Sequence, residues 1–176
     1  MSYFQDVNYR GETYSLKHLE PFTLSLESKR SKRTLKIRVI YTNHCFSKSL
    51  ERNKEGFFMG DPVFDRETTR PRIFCPERYA LSLRLEGVIR SLIGRKVRQT
   101  ASERNWCYVT EVQLDDGDYH VFFELKKASD EKKRMQDLEL RVESAYLLRE
   151  ANFLGSMLFD LLCSKVYQNE KTRTKR

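Results

Sequence analysis

Between Asn105 and Leu125 apolar residues alternate with polar ones on both sides of the run Asp115-Asp116-Gly117-Asp118, and few folds tolerate that pattern. Trp106, Tyr108, Thr110, Val112 and Leu114 fall on one side before the run; Tyr119, Val121, Phe123 and Leu125 continue after it. A period of two places alternate side chains on opposite faces of a strand, so each segment reads as a strand with one buried face. Asp116-Gly117 predicts a two-residue type I′ turn. That turn sets Leu114 opposite Tyr119, Val112 opposite Val121 and Thr110 opposite Phe123, with all apolar residues on one face. Beyond a charged loop at 128–137, Leu138, Leu140 and Val142 alternate in the same way. A three-stranded meander is expected.

Upstream, Phe22, Leu24 and Leu26 alternate, then Leu35, Ile37, Val39 and Tyr41, separated by the basic stretch Ser28-Lys29-Arg30-Ser31-Lys32-Arg33. This is a hairpin with a basic tip. Residues 1–20 lack periodicity and read as a docking arm, and residues 47–72 read as one long loop. Pro76 suits a first helical turn; Tyr79, Leu81, Leu85, Val88, Ile89 and Leu92 follow at helical spacing, with Gly94 as the stop, predicting a helix at 77–93. Leu147, Ala151, Leu154, Leu158, Leu161 and Leu162 predict a C-terminal amphipathic helix that covers the core or a dimer partner. Its Arg149, Glu150, Asp160 and Lys165 exclude a membrane span. The expected fold is α+β, an antiparallel sheet (N-terminal hairpin plus three-stranded meander) with helices packed on one face. It forms a single domain over 1–170 with a basic tail at 171–176.

Thirty-three Lys and Arg against 25 Asp and Glu give a formal charge of +8, which favours RNA or another polyanion as partner. The four cysteines, Cys45, Cys75, Cys107 and Cys163, form no CxxC pair. With no secretion-type N-terminus, free thiols in the cytoplasm are expected. No apolar run approaches the ~20 residues of a membrane span. Glycine-rich phosphate loops and the HExxH and GxSxG motifs do not occur, so no cofactor is expected. His44 and Cys45, adjacent on a strand, would point to opposite faces, so no metal is expected. Cys75 paired with His44 across the long loop would make a nucleophile, although a buried, inert Cys75 is the simpler reading.

With the apolar set turned inward, the other face carries Glu111 and Gln113, then His120, Phe122, Glu124 and Lys126, then Glu139, Arg141 and Glu143. Glutamate, histidine and arginine together are what metal-free RNA cleavage requires: a base for the 2′-hydroxyl, an acid for the leaving oxygen and a cation for the phosphorane. Phe122 among charges would stack a base. Any solvated sheet face in so charged a chain would carry similar residues as ordinary cross-strand ion pairs.

The order helix, strand, strand, strand over about 77–148, with the segment "LRVESAYL" in the last strand, resembles the barnase-like and RelE-like ribonuclease folds of bacterial toxins and colicin-type tRNases. The resemblance implies a phosphate-binding Arg141 with Glu124 and His120 as base and acid, assisted by Lys126. Ser144 and Tyr146 fall on the opposite parity, so either they are core residues or the strand is bulged. The expected function is a metal-independent endoribonuclease of toxin-like character, with a cognate protein inhibitor as partner. The alternative is a non-catalytic nucleic-acid-binding or protein-interaction module of bacterial, phage or mobile-element origin. It would use Lys29, Arg30, Lys32 and Arg33 at the hairpin tip, or form a homodimer through the C-terminal helix.

Overall fold

A computed structural model describes residues 2–50, 61–64, 71–101, 105–110 and 117–172. The N-terminal arm is a small hairpin of β1 (Val7–Tyr9) and β2 (Glu12–Tyr14). Strands of three residues are too short for alternation to register, which is why the arm has no periodicity in sequence. Tyr9 and Tyr14 hold it to the body through Phe74, with ring centroids 5.3 and 4.8 Å away.

The next hairpin is as expected: β3 (Phe22–Ser28) and β4 (Arg33–Tyr41) pair antiparallel, with Leu24 opposite Ile37 and Leu26 opposite Leu35. The stretch read as one long loop contributes β5 (Ser47–Ser49), β6 (Val63–Phe64) and β7 (Arg72–Phe74), a three-stranded sheet. Arg72 is buried there and satisfied by Ser47, whose Oγ accepts from Nε at 2.9 Å and whose carbonyl accepts from Nη2 at 2.7 Å.

The expected 77–93 helix is two pieces, α1 (Pro76–Ser82) and α2 (Leu85–Arg90), with Pro76 in the first turn as anticipated. The break leaves Leu83 exposed while Leu85, Ile89 and Leu92 are fully buried. After it come β8 (Lys96–Gln99), β9 (Asn105–Thr110), β10 (Asp118–Lys127), β11 (Leu138–Leu148), β12 (Gly155–Leu158) and α3 (Phe159–Tyr167).

The main sheet has seven strands in the order β12-β8-β9-β10-β11-β4-β3. The α+β class stands, but the sheet is mixed: β11 lies parallel to β4, with Leu140 beside Val39, and this pair joins the hairpin to the meander. A crossover of about a hundred residues links them, and nothing in the local pattern of either strand sets their direction.

Two further expectations are corrected. Thr110 pairs with Tyr119 and Trp106 with Phe123, so the β9–β10 register is displaced by four residues from the one a two-residue Asp116-Gly117 turn would give. An even displacement preserves the facing of every side chain, so the apolar face survives the change of register. Val112, Leu114 and Asp116 lie outside the described residues. The C-terminal helix is also much shorter than expected. Leu147 belongs to β11, and Gly155–Leu158 pairs with β8 as an edge strand, Gly155 opposite Gln99 and Leu158 opposite Lys96. Leucines three and four apart suit a helix, but the open edge of β8 offers this segment backbone partners, and tertiary pairing overrides the local pattern.

The expected placement of the helices on one face holds for α3, which packs on the apolar face of the sheet, whereas α1 reaches the other face through Arg78. Phe159 of α3 meets Phe123 edge-on at 6.1 Å, and Leu35, Ile37, Val39, Val121, Leu140, Val142 and Leu162 are fully buried. Where β3 meets α3, the buried hydroxyls of Ser28 and Ser164 bond at 2.8 Å.

Candidate nucleic-acid interface

The opposite face of the sheet is organised by one irregularity. Phe122 pairs with Ser144 and Phe123 with Val142, which leaves Glu143 as an extra residue in β11. This β-bulge resets parity: His120 stands opposite Tyr146, Phe122 opposite Ser144, Glu124 opposite Arg141 and Lys126 opposite Glu139, all on one face. Of the two readings open for Ser144 and Tyr146, the strand is bulged. Thr42, just past β4, holds the bulge in place, its N–H donating to the Val142 carbonyl at 3.1 Å and its hydroxyl to the Glu143 carbonyl at 2.7 Å.

One half of this face is an aromatic column. Phe153 stacks on His120 (6.1 Å, 15° between planes), His120 on Phe122 (6.2 Å, 20°), and Phe122 on Tyr146 (5.4 Å, 27°). The column ends in a cation: the Arg78 guanidinium lies 4.7 Å from the centre of the Tyr146 ring, held there by bonds to the carbonyls of Ser47 (2.9 Å) and His44 (3.3 Å). Grooves open at both ends. One of about 430 Å³ lies beside His120 and Phe153 and carries Arg98 and Arg149. The other, of about 350 Å³, lies beside Tyr146 and Arg78 and carries Lys48.

The other half is a charge cluster. Glu124 is buried to 8% exposure and paired with Lys126 at 2.9 Å, while Arg141 is exposed. Burial pushes the Glu143 carboxyl above its ordinary value; Arg141 and Lys126 oppose the shift, and the neighbouring Glu124 charge adds to it. Glu143, Glu124, Arg141 and Lys126 thus form one electrostatic group.

The structure brings Glu124 and Arg141 together, as the sequence reading supposed, but sets His120 apart. Four residues along one strand span about 13 Å. His120 is 4% exposed, flanked by two rings, with its Nδ1–H donating to the Asp118 carbonyl at 2.8 Å. At the hairpin tip Arg30 is committed to both Glu170 oxygens (2.7 and 2.8 Å) and to Gln168, and Arg33 to Asp137 at 3.1 Å; Lys29 and Lys32 are exposed. Glu111 and Gln113 lie outside the described residues. Sequence reasoning named Tyr146 only for its parity, and gave no role to Arg78, Phe153 or the bulge position of Glu143. The parity conflict at Ser144 and Tyr146 was the available signal for Tyr146 and for the bulge.

All four cysteines are buried and free, and burial pushes the Cys45 and Cys107 thiols up to about 12. Among the described residues no group of three His, Cys, Asp or Glu side chains is placed to hold a metal ion. Among them also, no helix is long and apolar enough to cross a membrane.

The molecule is therefore an α+β protein with a seven-stranded mixed sheet, one face of which carries an aromatic column ended by Arg78 of α1. The model of the YjaZ family matches residues 6–167, and the chain belongs to that family. No curated protein and no solved structure matches it. The family match carries no link to the barnase-like or RelE-like ribonucleases.

Proposed function

We propose that the chain binds single-stranded RNA across the bulged face of its main sheet. The observation that carries this reading is the column Phe153–His120–Phe122–Tyr146–Arg78. Phe153, stacked on His120, ends the column beside Arg98 and Arg149, and Tyr146, between Phe122 and Arg78, lies beside Lys48 at the other end. Base–aromatic stacking contributes roughly 1–3 kcal/mol per base, and the flanking cations track the phosphates. The overall charge of +8 favours the encounter. Fluorescence anisotropy with a labelled single-stranded RNA tests it. Phe153→Ala should weaken binding by about fivefold or more, the lower end of what one lost stack removes. Arg141→Ala should flatten the salt dependence. Wild-type affinity in Phe153→Ala, with the fold intact, would overturn the reading.

A second reading, RNA hydrolysis, is favoured by one feature: a carboxyl raised by burial, Glu143, beside a second carboxylate and an exposed arginine. In this reading Glu143 protonates the leaving oxygen, Glu124 accepts the 2′-hydroxyl proton and Arg141 holds the phosphorane; His120, about 13 Å away, positions the aromatic column. Cleavage of RNA in chelator is then lost in Glu143→Gln and in Arg141→Ala but kept in His120→Ala. Cleavage persisting in Glu143→Gln, or absent from the wild type, would leave RNA binding alone.

A further inference from the structure

We infer that a second, separate site binds a phosphomonoester dianion, where the ends of β4 and β10 meet the C-terminal end of α3. Arg33, Lys127, Lys133, Asp137 and Tyr167 line a groove of about 290 Å³ there. Three cations converge against one carboxylate, and that carboxylate is already occupied: one Asp137 oxygen pairs with Arg33 at 3.1 Å and the other accepts the Lys36 backbone N–H at 2.8 Å. Asp137 therefore orients Arg33 and does not pair with either lysine. Lys133 pairs with Asp130 at the exposed rim. Lys127 has no ion-pair partner among the described residues; its ammonium sits 5.2 Å from the centre of the Tyr167 ring.

Tyr167 acts as a post for this arrangement. Its hydroxyl accepts from Arg33 Nη1 at 2.8 Å, and the Arg33 guanidinium lies 5.3 Å from its ring centre. The same ring thus holds Arg33 and Lys127 near each other despite their like charge. Because both cations lie over this ring, the groove recognises charge rather than a stacked base. Charge-assisted bonds from a guanidinium and two ammonium groups suit a phosphoryl dianion, and the arginine supplies the planar fork that such groups favour. The three cations of the lining outnumber Asp137 and the rim carboxylate Asp130 together, so the groove is net positive, as an anion site requires.

The site lies away from the bulged face, and its test is independent of RNA binding. Isothermal titration of the full chain with inorganic phosphate, and separately with uridine 5′-monophosphate, is done at fixed ionic strength. Binding of both probes should be saturable, and that of the nucleotide should strengthen as pH rises past about 6, where a phosphomonoester loses its second proton. The Lys127→Gln, Lys133→Gln double variant removes neither Arg33 nor its hydrogen bonds and should weaken binding at least tenfold while keeping the wild-type circular dichroism and melting curve. Equal affinity for the two probes identifies the phosphoryl group as the whole of the recognised ligand, and tighter binding of the nucleotide identifies a nucleotide as its source. Heat no greater than that of chloride at matched ionic strength, or unchanged affinity in the double variant, would overturn the site.

Discussion

Phe122 stands directly opposite Ser144, while its neighbour Phe123 stands opposite Val142, and the unmatched Glu143 between them decides which side chains of β11 reach the outer face. Were Glu143 paired with Phe122 in a regular ladder, Tyr146 would turn toward the core and Ala145, now fully buried, outward. Deleting Glu143 should instead leave Ser144 opposite Phe122, Ala145 in the core and Tyr146 on the outer face, with the bulge replaced by regular pairing. The cost should stay below about 1 kcal/mol, short of what overpacking the core would bring. Urea unfolding followed by circular dichroism measures this, and a loss of about 3 kcal/mol or more would show that the bulge itself, and not only the register, holds this face.

The same residue has a pH signature. Burial raises the Glu143 carboxyl above its ordinary value of 4.5, so the folded protein holds that proton more tightly than the unfolded chain does. The associated stability is complete below 4.5 and is lost as pH rises through the raised folded value. Glu143→Gln keeps the neutral form at every pH. It should raise the melting temperature near neutral pH and lose that advantage below about pH 4, where the wild-type side chain is protonated as well. An advantage of equal size at both pH values would point to packing rather than titration.

Period-two alternation made the β3–β4 hairpin and the strands β9 to β11 legible, because each buries one face and a slip by one residue would expose it. It could not reveal that β4 and β11 run parallel, since that pairing joins residues as far apart as Ile37 and Leu138. Nor could it place the three-residue strands β1, β2, β5 and β7, which are shorter than the pattern needs. At the candidate site, the shared face of Glu124 and Arg141 was readable from parity but their direct pairing was not, and Arg78 and Phe153 come from other elements and meet the column only in three dimensions. Leu147–Leu162 misled because leucines three and four apart also occur where a strand end, an edge strand and a short helix follow in turn.

Gly117 carries a local constraint that the turn-based reading anticipated only in part. Its φ of 111° lies in the region that side chains rarely adopt. A Cβ added there would sit 2.5 Å from the Leu148 carbonyl oxygen, a backbone atom that cannot move without opening the β10–β11 pair at its end. Gly117→Ala should destabilise the protein by about 2 kcal/mol, measurable by denaturant unfolding. A loss below about 0.5 kcal/mol, the level of an ordinary surface change, would show that the turn can rearrange around the methyl group.

Tyr119 predicts the opposite sign. Its ring is fully buried, and its hydroxyl is enclosed with no hydrogen-bond partner among the described residues. Burial pushes its ionisation far above the ordinary tyrosine value, so the group remains a neutral phenol throughout the accessible pH range. A buried hydroxyl without a partner costs about 1–3 kcal/mol relative to its solvated state. Tyr119→Phe removes that cost and retains the ring that packs beneath β10 and β11. The variant should be more stable by about 1 kcal/mol, with an unchanged denaturant slope because the area exposed on unfolding is nearly the same. A variant less stable than wild type by a similar amount would mean that the hydroxyl is bonded in solution. Tyr41, whose hydroxyl is enclosed in the same way, supplies an independent second measurement with the same expected sign.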